Sequence, residues 1–487
     1  MIFFILFTAL IFRLINLNQS LWLDEAVQAI TSKGTFLNLF AELRGDFHPP
    51  LYHLFMWGWA HLFGSSEIAM RLPSVIFGTA TVFVVYLIIN ELFINGLTNL
   101  RINGLIGAIF LATSQFHIYY SQEARPYALA TFLTSLSMYF FIKIINKLTN
   151  CELTDYGLKM GYFFSTILLL YSDYFGFLVL LAQVITGLII FRKNLNLYFS
   201  KFLNLYIAIF LFYLPCLPIL WGQLQTGWEA VKILPGWGSL VNLNFWKVLP
   251  LTFAKFAIGR ITIFDKRLYA AVVGILGLIY GGVILKGVIK KNCLIAQLLI
   301  IFWLTIPVFI AWIASLFVPN YQPFRLLLVL PAFYLLLAYG VSSVNTMMMR
   351  NIIAGLIVAV NLVSLRVYYF NPYFWREDWR GVAGYLKKEQ LPIVISSDTF
   401  SWPLVYYGGG KNLIAVGEGT RPIEDKDKVI LGNYLEKIEG NKVAYTSYLA
   451  DLYDPSRKIP NWLNEAGFVK IKEISFNQIP LWIYENR

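Results

Sequence analysis

Eleven apolar runs dominate this chain, each near the roughly 20 residues that a helix needs to cross a hydrocarbon core. They cover 1–17, 68–90, 103–119, 127–146, 160–172, 174–191, 202–221, 268–285, 294–316, 324–343 and 351–370. Inside lipid every backbone N–H and C=O must find its partner within the segment, so runs of this length restrict the chain to a polytopic α-helical bundle. Composition agrees: 58% of the 487 residues are hydrophobic and 14% are charged, with a mean hydropathy of +0.63, which excludes an ordinary water-soluble globule. The first run contains Arg13 and lacks both a basic leader and a small-residue cleavage site. Met1 to Leu17 therefore reads as a retained helix and not as a signal peptide.

Loop charges orient the bundle. With a cytoplasmic N-terminus, the cytoplasmic connections hold Arg101, Lys143, Lys147, Lys159, Arg192, Lys193, Lys201, Lys286, Lys290, Lys291 and Arg350, and the short outer ones hold only Arg125 and Arg325. Such an imbalance of cations is the positive-inside pattern. It places the loops 18–67 and 222–267 and the tail after residue 370 outside the cytoplasm. From residue 371 onward fifteen Lys and Arg meet fifteen Asp and Glu, so the net +12 belongs wholly to the membrane part. The basic balance is topological and gives no reason to expect nucleic acid.

Three cysteines, at 151, 216 and 293, cannot bridge an outer loop in this topology, and no CxxC occurs. No repeat, GxGxxG or P-loop appears, which argues against a nucleotide-driven machine. The tail 371–487 changes character. Short β-rich runs at Pro392–Ser396, Lys442–Thr446 and Pro480–Tyr484 alternate with amphipathic helical patterns at Asp378–Lys388 and Pro460–Glu465. It reads as a small soluble α/β domain, and its Gly408-Gly409-Gly410 as a turn.

Polar chemistry concentrates on the outer side. Of the twelve acids before residue 371, nine fall there: Asp24, Glu25, Glu42, Asp46, Glu67, Glu123, Asp173, Glu229 and Asp265. A lipid-facing carboxylate costs about 2.5–3.5 kcal/mol on insertion scales, so the adjacent Asp24 and Glu25 must face water or an aqueous cavity. Farther along the same loop, Pro49-Pro50 biases His48 away from helix and presents its imidazole at the start of a following helix. Glu123 and Arg125 sit at a helix mouth, as does Arg325, and Arg71 opens the second span. Guanidinium groups grip phosphate oxygens through paired hydrogen bonds, so acids beside several Arg suit a phosphate leaving group and a hydroxyl nucleophile. A carboxylate amid such cations is expected to hold a lowered pKa.

These motifs carry a resemblance. In order they are Leu21-Trp22-Leu23-Asp24-Glu25-Ala26, His48-Pro49-Pro50-Leu51-Tyr52, Arg71-Leu72-Pro73-Ser74, Ser121 through Leu129 (SQEARPYAL), Phe324 through Pro331 (FRLLLVLP), and Asp378-Trp379-Arg380. The chain resembles the GT-C glycosyltransferases, within them most nearly the bacterial branch similar to protein O-mannosyltransferases and lipid A aminoarabinose transferases. The likeness spans residues 1 to about 343. It implies sugar transfer, with inversion, from a polyprenyl-phosphate donor to a glycan, lipid or protein acceptor on the outer face of a bacterial plasma membrane. Carried over, Asp24 is the general base and Glu123 a second acid. Glu25 shapes the site or binds sugar, and His48, Arg125 and Arg325 contact the lipid phosphate. Tyr52, Arg71 and Tyr127, from the same motifs, are expected to line the substrate site. Tyr171-Ser172-Asp173-Tyr174 stands where relatives often show His-Tyr, so the histidine contact expected there is missing, and Asp173 is a candidate substrate contact whose equivalence to that histidine the sequence leaves open. With four histidines a His-rich zinc site is not expected, whereas Asp24, His48 and Glu123 are the set that could hold a divalent ion. Two other classes remain: a flippase for polyprenyl-linked lipids, which calls for inverted repeats and acids near the bilayer midplane, and an inactive scaffold subunit.

Overall fold

The computed structural model describes residues 1–43, 45–93, 100–150, 155–233, 244–289, 294–317, 321–410, 412–419, 421–438 and 440–486. Cys151, Lys290, Lys291, Cys293 and the centre of the 222–267 loop lie outside the described residues. Each apolar run is largely helical. Among the described residues, seven helices are long and apolar enough to cross a membrane: Glu67–Leu92, Tyr127–Thr149, Leu195–Glu229, Lys266–Ile289, Ile295–Ala314, Pro323–Ser342 and Met347–Phe370. The other four runs form shorter apolar helices, Ile2–Leu14, Gly104–Thr113, Tyr156–Leu170 and Gly176–Ile190.

One run differs from the sequence reading. The segment 103–119 is not continuous, because Ser114 adopts an extended backbone and caps a new helix, its side chain accepting from the amide of His117. The short helix that follows, Gln115–Ser121, delivers Gln122 to Arg125 to the end of the bundle.

Burial separates the centre of the bundle from its rim. Of the apolar stretch in Pro323–Ser342, 89% is buried, against 17% in Leu195–Glu229. Phe210, Leu211 and Phe212 of the latter are exposed, as a lipid-facing surface should be. The helix Lys266–Ile289 meets the central one where a Cβ on Gly340 would lie 2.2 Å from the Val283 carbonyl oxygen. Small residues at such crossings let backbones touch and gain packing that apolar surface alone cannot supply in lipid. The fully buried Arg13 is held within the bundle, donating to the Ala9 carbonyl at 2.8 Å and to His117 Nδ1 at 2.7 Å.

The connection after the first helix folds into three short helices, α1 (Leu23–Lys33), α2 (Phe36–Leu43) and α3 (Leu51–Phe63). In the tail, five strands form one mixed sheet: β1 (Ile393–Ser397), β2 (Leu413–Gly417), β3 (Lys442–Thr446), β4 (Phe468–Phe476) and β5 (Ile479–Asn486), in the order β2-β1-β3-β5-β4. β1 pairs parallel with β2 and β3, whereas β5 pairs antiparallel with β3 and β4. One face packs on Trp379, Val382 and Leu386, the other on Leu431, Trp462 and Leu463. Leu23, adjacent to Asp24, packs against the first of these cores. Polar contacts reinforce that junction: Tyr407 Oη accepts from the Leu21 amide at 2.8 Å and donates to Glu67 at 3.0 Å.

Candidate active site

Helix geometry splits the two neighbouring acids. Successive residues on a helix point about 100° apart, so in the first turn of α1 the side chains of Asp24 and Glu25 diverge. Glu25 turns inward and is fully buried, where Arg71 grips both its oxygens and the Ala124 amide donates to Oε1 at 2.8 Å. Arg71 also donates to the carbonyls of Leu17, Gln19 and Ser20. Burial raises the carboxyl pKa, but Arg71, Arg376 and these hydrogen bonds outweigh it and hold Glu25 below its ordinary value. Both partners are fully committed to the framework.

Asp24 turns outward into a cavity of about 520 Å³, keeping 37% of its side-chain surface open. Arg125 Nη2 stands 3.5 Å from its Oδ2, Arg125 Nη1 is 3.8 Å from Asp46, and Asp46 is 3.0 Å from His53 Nε2. His48 and Arg325 line the same cavity, and the His48 ring meets Tyr127 edge to face at 5.7 Å. The double proline starts α3 as the sequence suggested, with Pro50 at its N-cap, and the Gln223 amide clamps the loop by donating to the carbonyls of Leu43 and His48.

Electrostatics corrects one expectation. Asp24 does not titrate low: burial raises its pKa above 3.8, and the opposing pull of Arg125 only moderates the rise. The depressed acid of this cavity is Asp46, where Arg125 and His53 overcome burial. Burial, aided by Arg125, lowers the pKa of His48 far below 6.5, so its imidazole is neutral at physiological pH.

Glu123 goes elsewhere. It lines a second cavity, of about 570 Å³, and its carboxylate accepts from Arg376 Nη1 at 3.0 Å. Burial raises its pKa despite Arg376. Trp22, Tyr127, Gln322 and Phe324 line both cavities and form the wall between them. Asp24, His48 and Glu123 are thus split across that wall, and among the described residues no group of three or more His, Cys, Asp or Glu is gathered as metal ligands. Tyr52, Glu25 and Arg71 line neither cavity; Tyr52 is fully buried. Asp173 is buried with its pKa raised to about 6, and its carboxylate accepts from the Phe175 amide at 2.8 Å.

Several groups escaped the sequence reading. Arg260 and Arg376 lie over the Tyr119 ring at 4.4 and 4.5 Å, and Glu377 and Lys255 line the second cavity. Arg260 owes its place to Gly259, whose φ is +79° and where a Cβ would sit 1.8 Å from Gln115 Oε1. The Trp375-Arg376-Glu377-Asp378-Trp379 cluster at the entry to the tail was a signal available in the sequence: charges and indoles packed at a domain boundary.

Known proteins bear on this geometry. The family described as dolichyl-phosphate-mannose-protein mannosyltransferase matches residues 47–221. Among solved structures, ArnT from Cupriavidus metallidurans bound to undecaprenyl phosphate is similar with a TM-score of 0.55 at 12% identity, covering 99% of this chain and 97% of that one. The oligosaccharyltransferase AglB from Archaeoglobus fulgidus, in complex with an inhibitory peptide and a dolichol-phosphate, gives a TM-score of 0.55 at 13% identity, covering 91% and 69%. No curated protein sequence matches the chain. The structural likenesses establish that the chain has the GT-C fold.

Proposed function

We propose that this GT-C chain is an inverting glycosyltransferase that moves a sugar from a polyprenyl-phosphate donor to an acceptor hydroxyl on the outer face of the membrane. The observation that carries this reading is the orientation of the Asp24 carboxylate: it is open to a cavity and 3.5 Å from Arg125, while its neighbour Glu25 is locked away. The acceptor oxygen attacks the anomeric carbon, the bond from that carbon to the phosphate oxygen breaks, and polyprenyl phosphate departs with the electron pair. Asp24 takes the acceptor proton. A pKa lifted by burial makes it a better base than an ordinary aspartate, since general-base efficiency grows as the pKa nears the working pH.

The departing phosphate gathers charge, and preorganised cations stabilise such charge best. Arg125 and Arg325 serve that role, and the neutral His48 donates an N–H without adding charge. Apolar Val27, Leu39 and Leu43 line the same cavity and suit the first isoprene units. Relatives of this fold support the donor class, since ArnT binds undecaprenyl phosphate and AglB a dolichol-phosphate. The acceptor is a glycan, lipid or protein hydroxyl, and the transferred sugar a hexose or pentose.

The test is release of polyprenyl phosphate in detergent from a panel of polyprenyl-phosphate hexoses and pentoses, with envelope extract as acceptor. Asp24→Asn should fold and bind undecaprenyl phosphate normally, yet lose transfer by about 10²–10⁴-fold, the span of general-base effects. Wild-type turnover in that variant, or movement of intact donor across vesicles without sugar release, would overturn the proposal.

A further inference from the structure

The outer domain reaches into the space beside the reaction centre. The first cavity is lined by the membrane part alone, whereas the second takes one wall from the tail, through Tyr373, Phe374, Trp375, Arg376, Glu377 and Gln478. Its volume of about 570 Å³ suits a small-molecule moiety. Of the two acids in this wall system, Glu123 is engaged by Arg376. Glu377 is different. Trp379 Nε1 donates to one of its oxygens and Tyr448 Oη to the other, each at 2.9 Å. A carboxylate offers about four acceptor positions, so Glu377 is held rigid from the protein side with half its capacity unused and available to the cavity. Asp24 is among the charges that act on it, so the two acids face one another's field across the dividing wall.

We propose that the second cavity is the acceptor subsite and that Glu377, contributed by the outer domain, is a specificity-determining residue that accepts hydrogen bonds from acceptor sugar hydroxyls. This rests on the glycosyl-transfer reading above. Both cavities hold cations, so the apolar strip decides between donor and acceptor: Arg125 and Arg325 in the first adjoin Val27, Leu39 and Leu43, as a phosphate bearing a hydrocarbon tail requires, whereas in the second Lys255, Arg260 and Arg376 stand among polar and aromatic side chains, Arg376 is engaged by Glu123, and a fixed carboxylate comes from the C-terminal domain. Rings of Tyr120 and Trp375 give a hydroxyl-rich pyranose flat surfaces on which its C–H faces can pack. Trp22, shared by both cavities and two residues from Asp24, is the point past which the acceptor hydroxyl must reach the base. The outer domain thereby selects the acceptor, while the membrane part performs the transfer.

Glu377→Gln keeps the size of the side chain and an oxygen for one of its two donors, so the fold should survive, which a melting curve in detergent checks. Three measurements then separate the possibilities. With undecaprenyl phosphate as probe, binding to the variant should equal that of wild type. With a productive donor, half-saturation by donor should be unchanged, while the concentration of envelope glycolipid extract giving half-maximal transfer should rise roughly tenfold or more, the loss expected for a hydrogen bond to a charged group. Glu377→Asp should recover part of that loss. Unchanged acceptor dependence alongside normal wild-type turnover would overturn the Glu377 assignment alone. Weakened binding of undecaprenyl phosphate would overturn it too and give the second cavity to the carrier. A wild-type protein that releases polyprenyl phosphate from no donor would sink the transferase reading first, and this assignment with it.

Discussion

Glu25 with Arg71 and Asp24 with Arg125 are two ion pairs one residue apart in sequence, and they are built in opposite ways. The first is closed: neither side chain exceeds 1% exposure, and Arg71 spends its remaining donors on three backbone carbonyls. The second is open: 3.5 Å long, with Arg125 shared between Asp24 and Asp46 and the Asp24 carboxylate facing a cavity. A closed pair fixes geometry and leaves nothing to react, whereas an open one leaves lone pairs and N–H groups for a substrate. Adjacent residues of like chemistry thus take a closed and an open setting, decided by which way one helical turn points them, and the proposed base is the open one.

The largest effect should come from breaking the closed pair. Arg71→Met leaves the Glu25 charge buried without its partner, a change that costs about 3–5 kcal/mol in comparable pairs, and also orphans the carbonyls of Leu17, Gln19 and Ser20. Thermal melting in detergent should drop sharply and the yield of folded protein with it. A variant with native melting but no transfer would erase the distinction between the two pairs. Opening the loose pair should do the reverse: Arg125→Gln should shift melting little and reduce transfer by about 10²–10³-fold, the scale of one lost electrostatic stabiliser.

The pH dependence sharpens the same contrast, because the two acids move in opposite directions. Glu25 is held below its ordinary 4.5, so it contributes stability that is present above that value and is lost only as pH falls through its lower folded pKa. Asp24 is raised above 3.8, so ionising it opposes folding as pH rises, and its proton must be off for it to act as base. On acidification, transfer should therefore fail at a pH above 3.8 while melting still holds. By the same sign, Asp24→Asn should melt no lower than wild type at neutral pH, a cost of function that the intact site carries. Coincident loss of activity and fold on acidification would contradict this ordering.

Much of this arrangement was legible in the sequence, for reasons that differ by element. Apolar runs of membrane length leave helices as the only solution, so the bundle could be read, and alternation with turn residues located β1, β3 and β5. The break at Ser114 was hidden because a capping serine inside an apolar run hardly changes hydropathy. The motif residues could be found but not sorted. Whether Glu25 or Asp24 faces the cavity depends on the angle at which α1 leaves Trp22, and Tyr52 and Tyr127 stand in equivalent motifs although only Tyr127 reaches a cavity. Glu377 and Arg260 are brought to the site by long-range packing: Arg260 through the turn at Gly259, Glu377 through docking of the C-terminal domain. The charged and aromatic cluster at the entry to the tail marks Glu377 in the sequence, but local pattern does not say which distant residues it meets.

The smallest effect belongs to that docking. Tyr407 Oη ties the C-terminal domain to Glu67 at 3.0 Å and to the amide of Leu21 at 2.8 Å, one residue before Trp22 and three before Asp24. Tyr407→Phe removes both bonds and no volume, which should cost about 0.5–1.5 kcal/mol for a single uncharged hydrogen bond, with somewhat more for the one to Glu67. The Glu25–Arg71 pair, anchored within the membrane part, does not depend on it, so binding of undecaprenyl phosphate should stand. The open side should feel it, because Leu23 packs on the core of the C-terminal domain and a looser domain lets the start of α1 drift. A shift of about 1 Å in a reacting group can cost on the order of 10²-fold. Transfer should fall several-fold at most, since Arg376 to Glu123, Arg380 to Glu67 and Tyr406 to the Ser65 carbonyl still hold the junction. A change in transfer with melting untouched would locate the tolerance of the open pair in the position of α1, and equal loss in both would make the C-terminal domain part of the closed framework instead.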